Sequence, residues 1–195
     1  RLMVLGSLAP QKGAHLLGAV MRELADFADI FLVGCGEEGE DFEGVGEGRV
    51  IRSYRREELP AIVAGIAPHA GLLLSVVPET FSYTLSELWA MGVPPVATRL
   101  GGFADRIQDG ETGFLFDPDA SALLAQLRHL DGARGELDRV RQRVRGTPVR
   151  TREEMVADYH AVQSLAVRAP LAGVEAGVPG RPLALRSGER EADRV

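Results

Sequence analysis

Apolar positions along this chain fall into two alternating kinds of run. Short blocks that are apolar on both faces, Leu2–Gly6, Ile30–Gly34, Arg49–Arg52, Leu72–Val77, Pro94–Thr98 and Gly113–Phe116, read as strands. Between them the spacing turns helical. From Gly13 onward Leu16, Leu17, Val20 and Leu24 share a face, and within Glu57–Ile66 so do Leu59, Ile62, Val63 and Ile66. Asp117 ahead of Pro118 reads as an N-cap before a proline at the first helical position, with Leu123, Leu124, Leu127 and Leu130 as the buried stripe. Strands that are buried on both faces and joined by helices specify a parallel sheet covered on both sides. The expected fold is therefore α/β, a Rossmann-like doubly wound domain with six parallel strands.

Beyond residue 131 the strands stop. Two amphipathic helices, Glu136–Arg145 and Thr151–Leu165, follow, and the last segment is rich in Pro, Gly and charge without a sustained period. The pattern divides the chain into a domain over residues 1–165 and a disordered tail or linker over 166–195.

Composition narrows the function classes. With 195 residues, 45% of them hydrophobic, the chain buries one sizeable core. A net charge of −6 and a pI near 5.3 argue against non-specific nucleic-acid binding, because an acidic surface repels a phosphate backbone. The single cysteine, Cys35, makes no internal disulfide, which fits a reducing cytoplasm. No stretch approaches the roughly 20 apolar residues of a membrane span, and RLMVLGSL lacks the apolar region and cleavage site of a signal peptide. Arg1 stands inside an apparent strand, so a further domain is expected upstream.

Ligands of such sheets bind beyond the carboxyl ends of the strands, which directs attention to Gly6–Gly13, Gly34–Gly39, Ser53–Arg56, Pro78–Glu87 and Thr98–Gly102. Gly34–Gly39 matches G-x-G-x-x-G after a strand, yet an acidic stretch follows where a dinucleotide site needs a helix receiving a pyrophosphate. A nicotinamide-dependent oxidoreductase is accordingly the lesser reading. Gly6–Gly13 lacks the glycine pattern of a Walker loop but aims Lys12 at a helix start near Gly13, where ammonium and amides together suit a phosphate. In PETFSYTLSE, Thr84-x-x-Glu87 has the form of a capping box, which would make Glu87 structural, whereas Glu79 precedes the helix and has no capping role. The helix closes at Gly92, an edge strand follows, and Gly101-Gly102 form a turn in which backbone can approach a ligand closely.

The ordered series Gly-x5-Lys-Gly, Pro-Glu-x7-Glu, Ala-Met-Gly-x-Pro-x-Val-Ala-Thr, Gly-Gly and Asp-Gly-x-Thr-Gly-Phe-Leu resembles the C-terminal, donor-binding half of retaining GT-B glycosyltransferases of family 4, over about residues 2 to 165. The resemblance implies a nucleotide-diphosphate sugar as donor substrate, no metal, no cofactor, and an N-terminal acceptor domain as partner. It implies that Lys12 contacts the donor diphosphate, Glu79 the transferred sugar and Glu87 the ribose. By the same resemblance Phe81, Ser82 and Tyr83 offer backbone amides, Arg52, Ser53 and Tyr54 border the nucleobase, and Gly6, Ser7, Gly13, Gly101 and Gly102 complete the donor site. Donor sugar, base and acceptor are not legible.

Three departures from the family pattern bear on activity. Ser7 stands where the family has an arginine, leaving Arg99 as the candidate replacement; Thr80 and Ser82 replace glycines, which narrows the sugar space; and Asp105 replaces a glutamate. These departures motivate a rival reading as a degenerate, non-enzymatic module of a larger polysaccharide-assembly protein. Arg139, Arg141, Arg143 and Arg145 read as a solvated helix face, with peripheral contact to anionic lipid as the alternative. His15, His69, His129 and His160 show no metal spacing with Cys35.

Overall fold

The structure is a computed structural model and describes residues 1–42, 49–145, 156–157 and 160–161. The chain divides into two units, Arg1–Val149 and Arg150–Val195. Of the second, residues 156–157 and 160–161 are helical; most of the expected helix Thr151–Leu165 and all of the tail 166–195 lie outside the described residues.

Six strands, β1 (Leu2–Leu5), β2 (Ile30–Val33), β3 (Arg49–Ile51), β4 (Ala70–Leu73), β5 (Pro95–Thr98) and β6 (Phe114–Phe116), form one parallel sheet in the order β3-β2-β1-β4-β5-β6. This is the doubly wound Rossmann-like sheet expected from the periodicity. The helices are α1 (Ala14–Ala25), α2 (Leu59–Ile66), α3 (Tyr83–Ala90), α4 (Gly101–Arg106), α5 (Ala120–Gly132) and α6 (Arg134–Arg145). Strand side chains alternate between two apolar layers, as the pleat requires. Leu2, Val4, Leu32, Leu72, Val96 and Phe114 pack with residues of α1, α5 and α6. Met3, Leu5, Val33, Leu73, Ala97 and Leu115 pack with α2, α3 and α4. Gly71 lets α3 lie directly on β4, since a Cβ there would sit 2.6 Å from a Leu88 methyl. Among the described residues no helix is long and apolar enough to cross a membrane.

The structure corrects four local expectations. β4 ends at Leu73 rather than running to Val77, because beyond it the backbone bonds elsewhere: the Val76 amide donates to the Gln11 carbonyl at 3.0 Å. β5 is an interior strand between β4 and β6, not an edge. Its prolines are tolerated because Pro95 opens the strand and the Pro94 carbonyl still accepts from the Gly71 amide at 2.9 Å. The N-cap of α5 is Asp119, whose carboxylate accepts from the Ala122 amide at 2.9 Å, rather than Asp117. Gly101 and Gly102 open α4, a helix the periodicity did not announce, instead of forming an isolated turn.

Candidate functional site

The chain runs outward from β1 through β2 to β3, then returns to lay β4, β5 and β6 on the other side of β1. The order reverses between β1 and β4, and the crevice beyond their carboxyl ends is where sheets of this kind take ligands. A cavity of about 100 Å³ lies there, walled by Gly6, Ser7, Lys12, Ser75, Glu79 and Thr84 over a floor of Leu72–Leu74 and Phe103. Small-molecule pockets span roughly 300–1,000 Å³. A ligand anchored in this nook therefore has to extend along the open edge of the sheet.

Lys12 reaches the cavity because of the turn that carries it. Pro10–Lys12 is a short 3₁₀ turn ended by Gly13, which takes φ 85° and also caps the start of α1. A side chain at Gly13 is excluded, since its Cβ would fall 2.0 Å from the Leu74 carbonyl oxygen. The exit of β4 fastens the same turn: the buried Ser75 hydroxyl donates to the Gln11 carbonyl at 3.2 Å. Held this way, the Lys12 ammonium donates directly to the Glu79 carboxylate. Glu79 has 18% of its side chain exposed and Lys12 41%, so the pair remains open to a competing ligand.

The loop after Glu79 is shaped by backbone. Gly102 donates its amide to the Glu79 carbonyl at 2.6 Å, and a Cβ on Gly101 would lie 2.7 Å from that oxygen. The double glycine thus makes its close approach to the Pro78–Thr80 backbone. Ser82 follows with φ 64° and ψ 99°, a positive-φ conformation that residues with a side chain rarely adopt. Ser82 is the N-cap of α3, its hydroxyl accepting from the Leu85 amide at 3.3 Å. The Thr84–Glu87 capping box does not form, because α3 begins at Tyr83, too early for Thr84 to cap it; the Thr84 hydroxyl pairs with that of Ser82 at 2.9 Å. Released from capping, Glu87 meets Arg56 at 3.2 Å. Phe81 and Tyr83 are exposed, their rings edge to face with centroids 5.4 Å apart.

A second cluster adjoins on the β3 side. The Tyr54 ring packs on Gly34, where a Cβ would come within 2.7 Å of it. Burial, and secondarily the Glu87 carboxylate, push the Tyr54 hydroxyl pKa above its ordinary value. Arg52 pairs with Glu40 at 2.6 Å, and Ser53 is exposed. After Gly34–Gly39 comes an acidic 3₁₀ turn, Glu37–Phe42, in place of the α-helix a dinucleotide fingerprint requires.

The sites proposed from sequence thus converge in part. Gly6, Ser7, Lys12 and Glu79 line one cavity, Tyr54 and Glu87 form its neighbour, and Gly101 and Gly102 support the loop between Glu79 and Ser82. Arg99 does not join them: its guanidinium is held by Asp109 at 2.6 Å and the Leu115 carbonyl at 3.2 Å. The basic face of α6 is not simply solvated either. Arg141 donates to the Pro68 and His69 carbonyls at 3.1 and 3.0 Å, Arg143 pairs with Glu111, and Arg145 lies against Gly92. Three residues received no role in the site from sequence: Arg56 beside Glu87, Thr84 in the cavity wall, and Arg106. Arg106 donates to the Phe81 carbonyl and, at 3.0 Å, to that of Ser82. No local pattern could have found it, because its partners lie 24 and 25 positions away.

Comparison with known proteins gives this geometry a context. The family model described as Glycosyl transferases group 1 matches residues 1–131. The sulfoquinovosyl transferase SQD2 of Arabidopsis thaliana is 32% identical over 139 residues, covering 64% of this chain and 25% of that protein. The phosphatidyl-myo-inositol mannosyltransferase of Mycolicibacterium smegmatis is 31% identical over 151 residues, covering 69% of this chain and 38% of the relative. The chain therefore spans between a quarter and two-fifths of these relatives' length. The same fold recurs in the catalytic domain of starch synthase IV from Arabidopsis thaliana bound to ADP and acarbose, with a TM-score of 0.69 at 18% identity over 86% of this chain and 38% of that one. It recurs also in Anabaena Alr3699/HepE in complex with UDP-glucose, with a TM-score of 0.65 at 20% identity over 85% of this chain and 48% of that one.

Proposed function

Since the chain belongs to the glycosyl transferases group 1 family, we propose that it is the donor-binding half of a retaining GT-B transferase, taking a nucleotide-diphosphate sugar along the carboxyl edge of its sheet. The observation that carries this reading is the meeting of Lys12 and Glu79 in the crevice between β1 and β4, beside the start of α3. A diphosphate competes with Glu79 for the Lys12 ammonium, and the carboxylate so released accepts hydrogen bonds from vicinal sugar hydroxyls. The amides of Phe81, Ser82 and Tyr83, at the positive end of the α3 dipole, take the remaining phosphate and sugar oxygens.

Glu87 accepts from the ribose hydroxyls, exchanging Arg56 for them, and Tyr54 with Arg52 and Ser53 borders the base. ADP in starch synthase IV and UDP-glucose in Alr3699/HepE support a nucleoside diphosphate as the shared element while leaving the base open. In transfer, the bond from the anomeric carbon to the diphosphate oxygen breaks as the acceptor hydroxyl adds from the same face, its proton passing to the departing phosphate. Lys12 and the amides stabilise the leaving charge without a metal. The acceptor is held by an N-terminal domain of the parent protein, in the cytoplasm, so this chain alone binds donor and transfers nothing.

Calorimetric titration with UDP, GDP, their sugars and NAD tests the proposal. Nucleotide binding that falls about tenfold or more in a folded Glu87→Ala variant is expected, as loss of charge-assisted hydrogen bonds to a ribose predicts. Unchanged affinity in that variant removes Glu87 from the ribose role. Binding of none of these ligands supports the degenerate module, and binding of NAD alone the oxidoreductase.

A further inference from the structure

We propose that Arg106 is a positioning residue for the loop that receives the donor: its guanidinium fork holds the Phe81 and Ser82 carbonyls, keeping Ser82 in the strained conformation that sets the direction of the Ser82 and Tyr83 amides. The inference rests on the donor-binding reading above and adds a residue from a different element, α4. It starts from Ser82, which with Ala67 is one of two non-glycine residues at positive φ among the described residues. Its φ of 64° and ψ of 99° fall outside the ordinary left-handed well, so surrounding structure must enforce them.

Arg106 supplies that enforcement from the far side of the loop. One guanidinium nitrogen donates to the carbonyls of Phe81 and Ser82, and the other donates to the Ser86 hydroxyl at 2.8 Å. The Phe81 carbonyl belongs to the peptide plane whose N–H is that of Ser82; the Ser82 carbonyl belongs to the plane whose N–H is that of Tyr83. In a trans peptide these groups point in opposite directions, so gripping both oxygens turns both amides away from Arg106. The Tyr83 amide, first in α3, has no acceptor within the helix. The guanidinium also stacks over the Phe81 ring at 4.1 Å and lies 5.1 Å from Trp89. Stabilising α3 does not account for this arrangement, since a cation near a helix N-terminus opposes the dipole. Orienting the loop does.

The test uses the full chain and four variants, Arg106→Ala, Arg106→Lys, Ser82→Gly and the Ser82→Gly/Arg106→Ala double variant, each first checked for cooperative unfolding in urea. Two readouts are taken: affinity for UDP and GDP by calorimetry, and, without ligand, the rate of chymotryptic cleavage after Phe81. Arg106→Ala is expected to weaken nucleotide binding at least tenfold and to speed cleavage severalfold. Arg106→Lys, which keeps the charge and loses the fork, recovers only part of each. Because glycine enters positive φ at less cost than serine, removing Arg106 from the Ser82→Gly background costs less than threefold in affinity and leaves cleavage close to that of Ser82→Gly. Wild-type affinity and cleavage in Arg106→Ala overturn the proposal. So do equal losses in the two backgrounds, which mark Arg106 as packing alone. Should the wild type bind neither nucleotide, the donor-binding reading fails, while the ligand-free cleavage rates still decide whether Arg106 holds the loop.

Discussion

Replacing Gly13 with alanine tests whether the turn carrying Lys12 is built as described. Two costs add. Alanine at φ 85° enters the left-handed region, worth about 1–2 kcal/mol for an L-residue. Its methyl group would also sit 2.0 Å from the Leu74 carbonyl oxygen, where ordinary contact begins near 3.4 Å, and the obstacle is backbone that cannot rotate away. Forcing such a clash into packed structure costs about 1–3 kcal/mol more. The expected loss is about 2–5 kcal/mol, a large share of the 5–15 kcal/mol or so that holds a domain together. In urea unfolding followed by circular dichroism and by the fluorescence of the single tryptophan, Trp89, this is a drop in midpoint of roughly 1–2 M. Gly65→Ala is the matched control: Gly65 lies in α2 with nothing within 4 Å of a built Cβ, so alanine there is neutral or stabilising. Nucleotide affinity should fall in Gly13→Ala as well, because relieving the clash moves Lys12 off Glu79. A loss below about 1 kcal/mol, with the control behaving as stated, refutes this account of the turn.

Thr98 is wholly buried and its hydroxyl donates to the Ser75 carbonyl at 2.6 Å, so Thr98→Val should cost about 1–3 kcal/mol in chemical denaturation while Thr98→Ser, which keeps the bond, costs less; a Thr98→Val variant as stable as the wild type would show that the bond contributes nothing. The Asp119 carboxyl is held below its ordinary value of 3.8 by hydrogen bonds from the Ser121 hydroxyl and the Ala122 amide, so the stability it lends is complete above that value and is lost as pH falls through the lowered one. Asp119→Asn still caps α5 but cannot titrate, so urea midpoints should change little at neutral pH and decline less steeply than in the wild type as pH falls below the ordinary carboxyl value of 3.8.

Periodicity determined the architecture. Six doubly apolar blocks separated by helical stretches admit little but a covered parallel sheet, and of the five loops the carboxyl-edge rule pointed to, Gly6–Gly13 and Pro78–Glu87 meet in the crevice. Local signals failed where two readings shared one spacing. Thr84-x-x-Glu87 and Asp117-Pro118 both have the form of caps, yet the chain's path gave those roles to Ser82 and Asp119, because a cap depends on the φ and ψ of the entering backbone as well as on side-chain type. The strand after Gly92 is expected at an edge, yet β5 lies between β4 and β6, because strand order is fixed by which faces can be buried together. Only the tertiary structure brought Lys12 to Glu79 across 67 positions, set Arg56 against Glu87, and laid Arg106 over the loop at Ser82. Such contacts arise when β4 is inserted beside β1 and α4 is docked on the Glu79 loop. A hydrophobic period records which face of an element is buried, and it carries no information about what lies on the other side.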